Sequence, residues 1–241
     1  MGPTSGPQQL KESNVRKALF SGIAAAALLT VGLAAPAQAA PVSHPATTKL
    51  SVLHAVPNTP VDVYLNHKRV LNNFKPGTLA GPLTVKAGTY TVTIVGAAAK
   101  NDKKPVIGPA KIKLAAHRNY TVAAHLTPAG KPTASLYLNT LKKTPKGEGR
   151  VIVRHIAAAP AVDILVNGSV AMKNLKNPKQ SKANLPVGTY SVAVALAGTT
   201  APVIGPAAVP VKKNTDTIVY AWGSAAAGNL TVAVQSVKTN R

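Results

Sequence analysis

The sequence predicts an all-β protein: two tandem immunoglobulin-like antiparallel β-sandwich domains after an N-terminal signal peptide. Three observations carry that expectation. The stretch Leu50–Asn66, LSVLHAVPNTPVDVYLN, recurs as Val151–Asn167, VIVRHIAAAPAVDILVN, with the same spacing from histidine (His54, His155) to aspartate (Asp62, Asp163). Short runs of alternating apolar and β-branched residues are separated by Gly- and Pro-bearing turns, the pattern of half-buried strands. Outside the leader no stretch has the 3.6-residue periodicity of an amphipathic helix.

In chain order, residues 1–39 read as a signal peptide. Arg16 and Lys17 supply the positive start, Ala18–Ala35 the apolar core, and Ala37-Gln38-Ala39 a small-residue cleavage site. A membrane anchor is the competing reading, but an Ala- and Gly-rich run closed at once by such a site favours cleavage, leaving no stable span. The polar Met1–Asn14 is unusual ahead of a leader and raises Val15 as an alternative start. Residues 40–48 form a Pro- and Thr-bearing spacer. The first repeat covers 49–141, with strands expected at Leu50–His54, Val61–Asn66, Arg69–Phe74, Leu79–Val85, Thr91–Val95, Val106–Leu114, Tyr120–Leu126 and Ala134–Leu138. Residues 142–148, KKTPKGE, read as a charged linker. The second repeat, 149–241, restates the plan: Val187-Gly188-Thr189-Tyr190 matches Ala87–Tyr90, and Pro202–Pro206 matches Pro105–Pro109 without a difference.

The chain has 241 residues and no cysteine, so its cores depend on apolar packing and it has no thiol nucleophile. Its 28 Lys+Arg against 6 Asp+Glu give a formal net charge of +22. Lysines are paired at apparent turns, Lys103-Lys104, Lys142-Lys143 and Lys212-Lys213, and these pairs are the candidate polyanion-binding residues. The plainer alternative is that scattered lysines keep an exported β-protein soluble and blunt its sheet edges.

The recurring polar residues His54, Asp62, His155 and Asp163 admit two readings. An imidazole beside a carboxylate could serve as a general base or in a metal site. Alternatively the aspartate accepts backbone N–H groups at a turn while the histidine ties strands together. No nucleophile or oxyanion donor set recurs beside them, so the structural role is preferred and no catalytic residue is assigned. A metal site from His54, His67, His117 and His125 lacks any known ligand spacing and is not preserved in the second repeat, so no metal or other cofactor is expected. Gly108-Pro109 and Gly205-Pro206 read as punctuation between strands rather than phosphate loops. Specific nucleic-acid binding is disfavoured, because aromatics are few and no groove-entering helix is visible.

The motif of apolar residues, His54, a proline turn and Val61-Asp62-Val63-Tyr64-Leu65-Asn66, followed by Gly88-Thr89-Tyr90, resembles domain of unknown function family 4397. His155, Val162, Asp163 and Ile164 carry the same pattern, with Leu165 where tyrosine is usual; the usual glycine after the asparagine is Gly168 in one copy and His67 in the other. The resemblance implies tandem immunoglobulin-like domains of a secreted or surface bacterial protein and attaches no activity. The expectation is therefore an extracellular or wall-associated, non-enzymatic protein that binds anionic cell-wall polymer or acidic glycan through its lysines. The alternatives are a hydrolase or metal-dependent enzyme centred on His54 and Asp62, or a passive spacer. The sequence leaves the oligomeric state and the angle between domains open.

Overall fold

In the computed structural model, residues 45–240 are described; the leader, the alternative start at Val15 and the first part of the spacer lie outside them. Sixteen strands follow one another: β1 Thr47–His54, β2 Val61–Leu65, β3 Lys68–Phe74, β4 Leu79–Lys86, β5 Gly88–Gly96, β6 Ile107–Leu114, β7 Asn119–Leu126, β8 Pro132–Asn139, β9 Glu148–His155, β10 Val162–Val166, β11 Ser169–Leu175, β12 Gln180–Pro186, β13 Gly188–Leu196, β14 Pro202–Val211, β15 Thr215–Trp222 and β16 Thr231–Lys238. They make two β-sandwich domains of eight strands each. β1 already begins within the stretch read as spacer, and β9 begins on the last residue of the stretch read as linker.

In the first repeat an outer sheet of order β3-β2-β5-β6 faces an inner sheet of order β4-β1-β7-β8. The second repeat has the same orders, β11-β10-β13-β14 and β12-β9-β15-β16. Neighbours are antiparallel with one exception per repeat: β1 runs parallel to β7, and β9 parallel to β15. An antibody constant domain places its first two strands in one sheet. Here they lie in different sheets, so what is shared with that fold is the two-layer architecture, not the connectivity.

Each sandwich closes on a β-branched and leucine-rich core. Leu50, Val52, Val63, Ile94, Leu114 and Val122 meet in the first repeat; Val151, Val153, Ile164, Val194, Val211 and Val219 meet in the second. A third core joins the repeats. Leu53, Ala123 and Tyr137 from the inner sheet of the first pack against Ile152, Ile156, Ile218, Tyr220, Trp222 and Val237 from the inner sheet of the second. The chain is thus a four-layer stack, outer–inner–inner–outer, and the described residues fall in one compact unit. The central strands of the inner sheets are accordingly buried on both faces: every residue of β15 is buried, as are all of β7 after its first.

Gly108 and Gly205 lie inside β6 and β14, not between strands as their Gly-Pro sequence suggests. Each has positive φ (86° and 82°) beside a register shift in its sheet. A Cβ on Gly108 would sit 2.5 Å from the Val92 carbonyl oxygen, so the position is closed to any side chain.

Candidate functional site

The recurring aspartates fasten backbone. Asp62 Oδ1 accepts the Asn73 N–H at 2.8 Å, and Asp163 Oδ1 accepts the Asn174 N–H at 2.7 Å. Both asparagines have positive φ, so each carboxylate holds a left-handed residue near the end of the following strand. The second oxygens differ. Asp62 Oδ2 takes Arg69 Nη1 at 3.1 Å, whereas Asp163 Oδ2 takes the Gly198 N–H at 2.9 Å. The backbone bonds from Asn174 and Gly198 hold the Asp163 carboxyl below its ordinary range. Val170 stands in the position corresponding to Arg69, and a groove of about 540 Å³ opens beside Asp163 and Lys173.

The histidines end β1 and β9 while the aspartates lie within β2 and β10, and no hydrogen bond links His54 to Asp62 or His155 to Asp163. His54 Nε2–H donates to the Thr59 carbonyl at 2.8 Å, and His155 Nε2–H to the Pro160 carbonyl at 2.8 Å. Each therefore closes its own proline turn instead of joining neighbouring strands. Burial lowers the pKa of both rings, keeping them neutral donors. Among the described residues no three His, Cys, Asp or Glu side chains converge as a metal site requires. His67 is bonded to Asp102 at 2.7 Å on the surface, and His125 is buried, with Nε2 against Ser135 Oγ at 2.9 Å.

The most concentrated polar chemistry lies between the two inner sheets, at residues the sequence does not single out. Arg154 is fully buried with no carboxylate bonded to it. Nη1 donates to Tyr220 Oη at 2.6 Å, Nη2 to Asn139 Oδ1 at 2.8 Å and Nε to Gln180 Oε1 at 2.9 Å. Its guanidinium also lies 4.3 Å from the Tyr137 ring centre and 5.2 Å from that of Tyr220. Tyr220 and Thr121 both donate to Gln235 Oε1, whose amide reaches Ser51 Oγ at 3.2 Å. Burial pushes the Tyr137 hydroxyl up to about 12, so both tyrosines stay neutral partners of the cation. Arg154, Tyr220, Asn139, Thr121 and Gln235 are buried, with Gln180 exposed at the edge, so the network joins the repeats rather than lining a cleft. Its one sequence signal is Arg-x-Ile-x-Arg along Arg150–Arg154, which puts cations on a face that alternation alone assigns to solvent.

At the strand ends beside the linker the candidate lysines gather. Arg150 is buried and paired with Asp216 at 2.8 Å; its remaining N–H groups reach the Lys142 and Lys143 carbonyls, each at 3.3 Å. Thr144 Oγ1–H donates to the Glu148 carbonyl. The linker is thereby fastened to the second repeat, and Lys142 and Lys143 stand exposed from a fixed backbone. A groove of about 330 Å³ runs between Lys143–Lys146 and Lys213-Asn214. A second, of about 210 Å³, continues from Lys213-Asn214 to Lys238 and Thr239. Lys212 is exposed next to Lys213. Lys103 and Lys104 are exposed on the β5–β6 loop and line neither groove.

Residues 48–165 match the model of a family described as Domain of unknown function (DUF4397). This part of the chain is a DUF4397 domain. The match covers the whole first repeat and runs on through β9 into β10. No curated protein matches the chain. Among solved structures it is similar to the Bacillus anthracis TIE protein, at 13% identity over 79% of this chain and 34% of that one, with a TM-score of 0.25. It is also similar to a leucine-rich repeat protein from Bacteroides thetaiotaomicron, at 13% identity over 82% of this chain and 27% of that one, with a TM-score of 0.19. The chain thus spans about a third or less of each, and at these scores neither bears on fold or function.

Proposed function

We propose that this DUF4397 protein is an exported, non-catalytic binder of anionic cell-envelope polymers, held by the summed charge of its lysines. One observation carries the reading: the fold leaves its lysines outside and takes its carboxylates in. Every lysine from Lys49 to Lys238 is exposed, while none of the described carboxylates is. Asp62, Asp163 and Asp216 are buried, Asp102 is engaged by His67, and Glu148 is half-buried. The surface field is therefore more one-sided than the composition alone indicates, and it attracts polyanions over roughly a Debye length, about 8 Å at physiological salt. Engagement of Asp62, Asp163 and the Nε2–H groups of His54 and His155 in holding local backbone supports a non-catalytic role, as does the burial of all four residues. Lysine suits diffuse attraction because it is a hydrated point charge rather than a bidentate clamp.

The test is sedimentation of the protein with purified cell walls across a salt series. Retention should fall steeply from 50 to 500 mM salt, on the order of tenfold or more. Retention unchanged by salt, or no retention at low salt, overturns the proposal.

A further inference from the structure

We infer that the groove between the β14–β15 turn and the end of β16 is a phosphate subsite for a linear poly(glycerol phosphate)-type chain. This rests on the polyanion reading above and narrows it to one place and one chemistry. Two ammonium groups arrive from different strands, Lys213 before β15 and Lys238 at the end of β16. Between them Thr239 is 7% exposed, and its hydroxyl has no hydrogen-bond partner among the described residues. A buried hydroxyl left unmatched is costly, and an anion seated between the lysines would match it. The same groove is lined by Asn214, whose left-handed backbone (φ 53°) turns the chain there and whose carbonyl accepts the Thr239 N–H at 2.9 Å. Turn and strand end are thus fixed to each other before any ligand arrives.

Among the described residues no carboxylate lines this groove or the adjoining one, and neither offers an aromatic face on which a sugar ring could stack. Of the described acids on the strands beside it, Glu148 is half-buried at the start of β9 and Asp216 is buried against Arg150. The two grooves share Lys213 and Asn214, so a flexible chain leaving the subsite meets Lys143 and Lys146 next. Repeated phosphates on a thin backbone fit that succession of point charges. The recessed Thr239 hydroxyl favours a chain that can enter the groove over a headgroup held in a flat bilayer.

The test uses the full chain and measures affinity for poly(glycerol phosphate) at fixed salt. Three variants with unchanged thermal midpoints are compared: Lys213→Gln/Lys238→Gln, the charge-matched Lys103→Gln/Lys104→Gln, and the charge-neutral Thr239→Val. The first should weaken binding by about tenfold, the second by less than about twofold, and Thr239→Val by about threefold. Equal losses in the two double variants with Thr239→Val unchanged overturn the subsite, while leaving binding by dispersed charge intact. Tighter binding to polygalacturonate or to phosphatidylglycerol vesicles than to the polymer also overturns it. Absence of binding to all three removes the subsite and the polyanion reading together.

Discussion

Three buried histidines give the fold an acid limit above the carboxylate range. His54, His125 and His155 are each held below the ordinary 6.5, first by burial. Above 6.5 the rings are neutral folded or unfolded and contribute no pH dependence. As pH falls below 6.5 the unfolded chain takes up protons that the folded chain refuses, so stability is progressively lost. Asp216 acts oppositely, because burial raises its carboxyl to about 6 despite Arg150. The folded state accepts that proton first, which partly offsets the histidines from about pH 6 down to 3.8. The urea midpoint should therefore be flat from pH 8 to 7 and decline from 6.5 downward. His54→Gln/His155→Gln, which can keep a donor to each turn carbonyl, should flatten the decline; an unchanged slope would contradict the assignment. Tyr220→Phe removes the oxygen that accepts from Arg154 and donates to Gln235. It should cost about 1–3 kcal/mol by chemical denaturation, since it leaves a buried cation short of one partner.

At the scale of elements, comparing the repeats turns the second into a controlled variant of the first. Gly108 and Gly205 carry the same positive φ and the same close approach to a neighbouring carbonyl. Gly108→Ala should destabilise by about 2 kcal/mol or more, read as a shift of the urea midpoint. Ile112 of the first core is matched by Val209 in the second, where a small apolar cleft of about 50 Å³ is lined by Val192, Ile204, Val209 and Val232. Val209→Ile should fill part of it and stabilise by about 0.5–1 kcal/mol, raising the thermal midpoint without altering the fold. The strands themselves were legible because alternation and turn residues are local signals. The parallel pairing of β1 with β7 was not, since the two are joined only through five intervening strands and nothing in either strand names its partner. Gly108-Pro109 was misleading for a related reason: a bulge within a strand and a break between strands draw on the same residues. The aspartates stand out in the sequence because they recur, yet their asparagine partners, Asn73 and Asn174, lie eleven residues away and are visible only once β2 is paired with β3 and β10 with β11.

The whole molecule is organised by the contact between inner sheets, and its internal symmetry explains why the two faces differ. Ser51 and Thr121 correspond to Ile152 and Ile218, and Tyr137 corresponds to Gln235. The first pair meets Gln235 through hydrogen bonds, while Ile152 and Ile218 meet Tyr137 through apolar packing. The contact is reciprocal, as in a twofold dimer, but covalent fusion allowed one side to become polar and the other apolar. Sequence had one cue to this burial: Ile218–Trp222 is an unbroken apolar run, as expected of a strand covered on both faces. The charged linker left the relation between the repeats open, because Arg150 and Asp216 could not be seen to fasten it. With the repeats sharing a core, neither can open its inner sheet without stripping the other, so unfolding should be one cooperative transition. Ile152→Asp, which places a charge in that core, tests this directly. Hydrogen exchange should show protection falling in β5 of the first repeat as well as β13 of the second, and the single tryptophan, Trp222, packed against Gly77 across the contact, should report the same midpoint. Loss of protection in β13 with β5 unaffected would mean that the two sandwiches are joined by the chain alone.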